Sequence, residues 1–179
     1  IVEHSLNGAH VVRLKSGDPT VFGRLDEELD AVSNANVSYR IIPGITAASA
    51  AVANIGQSLT KRGRNSGVRL ITGHDLAGYV DHDWATLAAE GQVAAIYMGK
   101  KSARFMQGRL LMHGAAAQTP VTIIENASRV DQRIIATNLG HMSGDVHNAA
   151  LKGAALVLYG LAPRAAQIAA ENILNEELA

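Results

Sequence analysis

The sequence has no cysteine, no excess of charge of either sign and few aromatic side chains. Without cysteine there are no disulfides, thiolate nucleophiles, iron–sulfur clusters or thiolate zinc sites, which fits a reducing cytoplasm. The 16 basic and 16 acidic residues cancel, so no overall field draws the chain to nucleic acid or to an anionic membrane. An anionic ligand therefore has to be bound by a local cluster of basic residues.

Long apolar runs and a leader segment are also missing. No run approaches the roughly 20 apolar residues that span a bilayer, and no charged-then-apolar segment opens the chain. We therefore expect a cytoplasmic protein with no membrane and no nucleic-acid partner. The first residue is Ile1 rather than methionine, and we expect the N-terminal domain to be incomplete.

The apolar residues that are present follow strand and helix periods in alternation. Hydrophobic residues make up 47% of the chain, as in an ordinary globular α/β protein. Strands are predicted at 10–14, 38–42, 68–72, 93–98, 120–125, 133–137 and 155–159. Helices are predicted at 21–32, from Thr46 onward, and at 102–113, 143–151 and 163–178. This alternation predicts an α/β fold in which open sheets carry helices on both faces and bind ligands at the carboxyl ends of strands.

The composition changes between Pro43 and Ser66, where small residues give way to a polar stretch. We place a domain boundary there, near Gly56. Residues 1–56 then form the remainder of an N-terminal α/β domain, and residues 57–179 form a C-terminal α/β domain.

A cluster of turn formers, Ser16-Gly17-Asp18-Pro19, ends the first predicted strand. Gly17 allows a ligand to approach the backbone, and exposed amides beside the following helix can hold a polar or anionic group. Gly-Asp-Pro is also a common turn. The loop taken alone is therefore either a structural turn or a binding loop.

Further motifs accompany this loop in a fixed order. They are VVRLKSGDPTVFGR, IIPGITAASAA, LTKRG, TGH, YMG, TPVTIIENAS and GAALVLYG. In this order they resemble the tetrapyrrole (corrin and porphyrin) methylase family, and GDPxxFGR, PGITxA and LTxRG look most like its uroporphyrinogen-III C-methyltransferases. The resemblance covers nearly the whole chain.

The resemblance implies two α/β domains with open mixed sheets and S-adenosyl-L-methionine bound between them, mainly by backbone and small side chains. The cofactor-binding residues that it implies are Ser16, Gly17, Asp18, Val21, Thr46, Ala47, Met98, Ala127 and Ala155. It also implies a tetrapyrrole substrate near Lys61 and Arg62, S-adenosyl-L-homocysteine as product, and a homodimer. The family's acidic residue and lysine that serve the chemistry are expected upstream of residue 1, so this chain by itself has no assigned catalytic residue.

Three of these positions depart from the family pattern. Ser16 and Ala127 stand where the family commonly has glycine, so each adds one small group to the expected pocket. Lys61 replaces the usual histidine of LTHRG. Both residue types can donate to a carboxylate, but lysine stays charged at neutral pH whereas histidine titrates there.

The remaining polar candidates carry weaker patterns. His74, His82, His141 and His147 lack the spacing of a helical metal pair, and no carboxylate triad supports them, so we predict no metal site. Glu125 and Asn126 end a predicted strand, where functional groups gather in such sheets, but asparagine also forms turns. Their role stays open at this stage.

The function that follows is C-methylation of uroporphyrinogen III to precorrin-2, on the route to sirohaem or cobalamin. One alternative is another precorrin methyltransferase of the same family, and another is a truncated, non-catalytic module that binds cofactor or dimerises. A family member that modifies RNA or a protein is a further alternative, of which RNA is disfavoured because the net charge is zero, aromatic residues make up 4% of the chain and no basic stripe is present. A dinucleotide dehydrogenase is disfavoured because no G-x-G-x-x-G follows a strand.

Overall fold

The computed structural model describes residues 1–168 and divides into two compact units, Ile1–Ala47 and a second that begins at Ala48. This division comes earlier in the chain than the expected boundary near Gly56. The reason is helix α3, at Ala47–Asn54, whose Ala48, Ala51 and Val52 are buried in a core of the second unit. The assignment of two functional domains stays a prediction.

The first unit contains two helices, α1 at Val2–Leu6 and α2 at Leu25–Asn34. The predicted helix began at residue 21, but the chain forms a turn there first. Phe22 and Arg24 have φ angles of 52° and 55°, which a right-handed helix does not allow. Helix α2 therefore begins after Arg24.

The two strands predicted in the first unit, at 10–14 and 38–42, are not formed as strands in the described structure. These expectations were wrong. Their β-branched composition favours an extended chain, but a strand also needs a hydrogen-bonded neighbour. Within residues 1–168 neither run is paired with one, and Val12 and Leu14 keep exposed side chains.

The second unit is built on one five-stranded sheet and one short hairpin. The strands are β1 at Arg69–Thr72, β2 at His74–Asp75, β3 at Gly78–Tyr79, β4 at Ala94–Tyr97, β5 at Pro120–Glu125, β6 at Arg133–Asn138 and β7 at Ala155–Tyr159. The large sheet has the order β1-β4-β7-β5-β6; β1 and β4 are parallel, and the other pairs are antiparallel. The predicted open mixed sheet is confirmed.

Three further helices belong to this unit: α4 at Trp84–Ala88, α5 at Ala103–Met112 and α6 at Met142–Asn148. The predictions contained α5 and α6 but missed α4 and the β2–β3 hairpin. Residues 164–168 are also helical, at the start of the predicted helix 163–178, and the rest of that prediction lies outside the described residues.

The strands alternate their side chains between two cores. On one face, Ile96 of β4 and Val157 of β7 pack with α4, α5 and α6. On the other face, Ala95 of β4 and Leu158 of β7 pack with α3. Because successive side chains in a strand point to opposite faces, the continuous apolar runs of β4 and β7 require cover on both sides. Helices on both faces of the sheet are thereby confirmed.

The strands of the β2–β3 hairpin have only two residues each, and the hairpin is stabilised by aromatic contacts. The Tyr79 ring stacks on Phe105 of α5 with their centroids 5.0 Å apart, and Trp84 meets the same Phe105 ring edge-on at 5.8 Å. Two-residue strands are too short for a period to appear in the sequence.

Among the described residues, no helix combines the length and the apolar character needed to cross a membrane.

Candidate functional site

The GDP turn and the PGIT turn of the first unit are in contact through their backbones. A Cβ atom placed on Gly44 would lie 2.2 Å from the carbonyl oxygen of Gly17, and a Cβ on Gly17 would lie 3.5 Å from the carbonyl oxygen of Ile45. Gly17 also has a φ of +76°, which favours glycine. The structure thus brings together the two turns that the sequence placed at the candidate site.

Asp18 organises the first of these turns. Its Oδ1 accepts hydrogen bonds from the backbone N–H of Thr20 at 2.8 Å and from the Thr20 hydroxyl at 2.6 Å. The hydroxyl bond is the main cause that lowers the pKa of Asp18, and the amides of Thr20 and Gly44 contribute to it. The carboxylate is therefore ionised, and part of its bonding capacity is used to shape the turn.

The other residues predicted for the cofactor in this unit differ in exposure. Ser16 and Gly17 are exposed, whereas Val21, Thr46 and Ala47 are half-buried. Exposed main chain beside a glycine turn is what a backbone-mediated contact requires. Their contact with a cofactor stays a prediction.

The residue before the GDP turn is tied to helix α2. Lys15 donates a hydrogen bond to Glu28 at 2.9 Å, and Arg13 forms an ion pair with the same carboxylate at 3.3 Å. The Lys15 bond is the main cause that lowers the pKa of Glu28. A groove of about 600 Å³ opens beside this pair. None of the residues predicted to bind cofactor lines it, so we do not place the site there.

In the second unit, three predicted cofactor residues lie along one edge of the sheet. Tyr97 pairs with Leu156, and Glu125 pairs with Ala155. The carboxyl ends of β4 and β5 and the start of β7 therefore share an edge, which also carries Met98 and Ala127. Such an edge is where open α/β sheets usually bind ligands.

Met98 and Ala127 lie on sharply turned backbone. Met98 has a φ of +54° and is 50% exposed, and Asn126, just before Ala127, has a φ of +52°. The Asn126 amide donates to the carbonyl of Ala154 at 2.8 Å, and its side-chain amide donates to Asp131 at 2.8 Å. Asn126 is therefore a turn former in this structure.

Glu125 is a buried carboxylate whose two oxygens both have partners. It is 3% exposed. One of its oxygens accepts the amides of Lys152 at 2.6 Å and Gly153 at 2.5 Å, and the other pairs with Arg133 at 3.1 Å. The Gly153 amide is the main cause that lowers its pKa. In the sequence, Glu125 is the one charged residue at the end of a mostly apolar strand, and a charge that becomes buried needs a partner.

Lys61 and Arg62 stand at the start of a turn organised by Asn65. The Asn65 side chain accepts the Lys61 amide at 3.1 Å and donates to the carbonyl of Leu59 at 2.9 Å. Arg64 is used internally, since it donates to the carbonyl of Ser58 at 2.6 Å. Both Lys61 and Arg62 are exposed, and no side-chain hydrogen bond or ion pair is found for either among residues 1–168.

Comparison with known proteins gives the family of this chain. The profile of the Tetrapyrrole (Corrin/Porphyrin) Methylases matches residues 1–143. The chain belongs to this family. The resemblance carried by the sequence motifs is confirmed, and the family is one of methyltransferases.

Two relatives show how much of the chain is similar to known proteins. The chain is 44% identical over 140 residues to a siroheme synthase of Edwardsiella ictaluri, covering 78% of this chain and 30% of the relative. It is 43% identical over 154 residues to a siroheme synthase of Enterobacter sp., covering 84% and 34%. The chain therefore spans about a third of these relatives.

One similar solved structure is the Thermus thermophilus uroporphyrin-III C-methyl transferase complexed with S-adenyl homocysteine. It superposes with a TM-score of 0.75 at 28% identity, covering 89% of this chain and 69% of that one. A cobalt precorrin-4 methyltransferase, at 22% identity and a TM-score of 0.81, shares the fold.

Histidines in this methylase chain make isolated contacts. His82 Nε2 lies 2.8 Å from the carbonyl oxygen of Thr72. This contact gives His82 a structural role. Across the part of the chain that the structure describes, no group of three or more histidine and acidic side chains is placed to hold a metal ion. The absence of a metal site stays a prediction.

The contact between the two glycine turns predicts the effect of Gly44→Ala. The added methyl would overlap the Gly17 carbonyl, so we expect the free energy of unfolding to fall by about 1–3 kcal/mol, as in other overpacked sites. Amide hydrogen exchange at residues 16–18 should quicken, as followed by mass spectrometry. Gly67→Ala is the matched control, because a Cβ at Gly67 meets no atom within 4 Å. Equal exchange in the two variants would contradict the contact.

The depressed pKa of Glu125 predicts a pH dependence of stability. A carboxyl whose folded pKa lies below its unfolded value, about 4.3, stabilises the fold above that pH, and this contribution is lost as the pH falls through the folded pKa. The difference in free energy of unfolding between wild type and Glu125→Gln should thus be constant near neutrality and shrink below about pH 4. Urea titrations measure it, with the exposed Glu90→Gln as control. A difference that does not change with pH would contradict the assignment.

Proposed function

We propose that this chain is part of an S-adenosylmethionine-dependent C-methyltransferase that converts uroporphyrinogen III to precorrin-2, on the route to sirohaem or cobalamin. The observation that supports this most is the backbone contact between the turns of Gly17 and Gly44 in a chain of the tetrapyrrole methylase family. The bound S-adenyl homocysteine of the Thermus thermophilus neighbour supports the choice of cofactor.

The proposed cofactor contacts combine exposed backbone with small side chains. They are Ser16, Gly17, Asp18, Val21, Thr46, Ala47, Met98, Ala127 and Ala155. The described geometry fits such a ligand, because a glycine turn with positive φ leaves main-chain amides and carbonyls accessible. The methyl groups of Ala127 and Ala155 leave more room than larger side chains at the sheet edge would.

The chemistry requires little from the protein beyond alignment. The cofactor supplies an already activated methyl group on a sulfonium, and the pyrrole carbon of a reduced macrocycle is electron-rich. The residues of this chain would orient the two partners and exclude water. A base must also remove a proton from the methylated ring system, and we assign that role to no residue of this chain.

The substrate side of the proposal rests on Lys61 and Arg62. Uroporphyrinogen III carries eight carboxylates, and arginine binds a carboxylate through two parallel hydrogen bonds. The chain has no net charge, so local cations have to make this contact. Arg64 is already bonded to the Ser58 carbonyl, whereas Lys61 and Arg62 are exposed.

The proposal extends to the location, the oligomeric state and the partners of the protein. We infer a cytoplasmic enzyme that acts as a homodimer and has neither nucleic-acid nor membrane partners. The alternatives are a later precorrin methyltransferase and a non-catalytic module that binds cofactor or dimerises. The fold shared with the cobalt precorrin-4 methyltransferase keeps the first alternative open to test.

A turnover experiment separates these alternatives. The complete gene product, assayed beside residues 1–179, is incubated with S-adenosylmethionine and uroporphyrinogen III. We expect S-adenosylhomocysteine to form together with the precorrin-2 chromophore. Turnover of a later precorrin in its place would move the assignment to a sister enzyme, and binding of cofactor without turnover of any tetrapyrrole by the complete product would support the non-catalytic module.

Removing one cation tests the substrate contact. For Arg62→Ala in the complete gene product, we expect the KM for the tetrapyrrole to rise roughly tenfold or more, because a charge-assisted hydrogen bond contributes about 1.5–3 kcal/mol. The KM for S-adenosylmethionine should stay unchanged. Arg104→Ala, which removes an exposed arginine of α5, is the matched control. An equal KM in both variants would remove Arg62 from the substrate site.

A further inference from the structure

Glu125 holds the segment that leads into β7. One of its oxygens accepts the amides of Lys152 and Gly153 at 2.6 and 2.5 Å, and the other pairs with Arg133 at 3.1 Å. Two donors on one ionised oxygen form short, strong hydrogen bonds. Ala155 follows within two residues and opposes Glu125 across the strand pair. The carboxylate thus fixes the main chain from which Ala155 begins.

The same segment locks the loop that carries Ala127. A Cβ on Gly153 would lie 2.1 Å from the Asn126 side-chain oxygen, so Gly153 and Asn126 are packed without spare room. The Asn126 amide donates to the Ala154 carbonyl at 2.8 Å. A shift of 152–154 toward Asn126 would therefore displace Asn126 and its neighbour Ala127, and a shift away would break the bond to Ala154.

A third connection reaches the turn after β4. The ammonium group of Lys100, two residues beyond Met98, donates to the carbonyl of Leu151 at 2.5 Å. The guanidinium that pairs with Glu125 also donates to the carbonyl of Ala149 at 2.9 Å. Residues 149–154 are thus bonded to segments near Met98 and Ala127 and lead directly to Ala155, and the Glu125 carboxylate accepts the amides of two of them.

Glu125 itself is not placed to touch a ligand. It is 3% exposed, and both of its oxygens are already used. A carboxylate in this position cannot act as a base without losing the bonds that hold the segment. Its contribution has to pass through the residues that it positions.

We propose that Glu125 is a positioning residue for the cofactor: it holds residues 152–154 so that Ala127 and Ala155 keep the spacing that S-adenosylmethionine requires. This role rests on the proposed function. The sheet edge is then pre-organised before the cofactor binds, and cofactor affinity depends on a buried charge that the cofactor never contacts.

The test compares Glu125→Gln with Glu90→Gln in the full chain at neutral pH. Glutamine keeps the shape and one acceptor oxygen but removes the charge and places an amide group against Arg133. Glu90 is an exposed carboxylate of the same unit. Isothermal titration with S-adenosylhomocysteine gives the affinity, and hydrogen exchange gives the protection of 126–128, 152–155 and the central strands β4 and β5.

The expected result for Glu125→Gln is a roughly tenfold or larger loss of affinity, with exchange at 126–128 and 152–155 accelerated more than exchange in β4 and β5, whose protection falls only by the change in the free energy of unfolding. Glu90→Gln should match wild type. Loosened segments with wild-type affinity would overturn the positioning role alone. An equal loss of protection in 126–128, 152–155, β4 and β5 would overturn it as well, because Glu125 would then stabilise the whole fold rather than this segment. Absence of binding by wild type would remove the proposed function and this role with it.

Discussion

The backbone contact between Gly17 and Gly44 is the constraint on which the candidate site depends. At 2.2 Å from the Gly17 carbonyl, a Cβ on Gly44 has no room, so the two turns can meet only while this position is glycine. The contact joins two loops whose glycines are 27 residues apart in the chain. Asp18 stabilises the first of these loops by accepting hydrogen bonds from Thr20.

The turns at the sheet edge of the second unit are also held in place by close contacts, but these contacts are made mainly by side chains rather than by glycines. Some of these side chains, such as Glu125, are themselves buried and hydrogen-bonded, and the accessible residues are the small Ala127 and Ala155 together with the half-exposed Met98. Main-chain groups and alanine methyl groups lose little conformational entropy when a ligand binds. Such a site is stiff, and it shows little in the sequence beyond glycine, alanine and turn formers.

The strongly periodic parts of the fold could be predicted from the sequence. Strands β5 and β7 have the predicted bounds, 120–125 and 155–159, because continuous buried runs carry a clear pattern. The strands expected at 10–14 and 38–42 did not form, since composition shows a preference for extension but not the presence of a pairing neighbour. The β2–β3 hairpin was missed because Tyr79 is held by stacking on Phe105, which is a tertiary contact.

The sequence indicated the two turns that the structure brings into contact, but not the side chains that stabilise the turns of the second unit. The motifs identified the turns at Gly17 and Thr46, yet nothing local showed that Glu125 would accept amides from Lys152 and Gly153. Those partners are separated from it by 27 and 28 positions. A lone acid at the end of an apolar strand indicates that a partner exists, but the fold alone determines which one.

We propose that the two joined turns of the first unit form a cofactor-binding surface. The decisive measurement is amide chemical-shift mapping of the ¹⁵N-labelled chain during titration with S-adenosylhomocysteine. We expect saturable shifts at Gly17, Asp18 and Thr46. Shifts confined to the groove beside Lys15 and Glu28, or no saturable shift at the two turns, would refute this proposal.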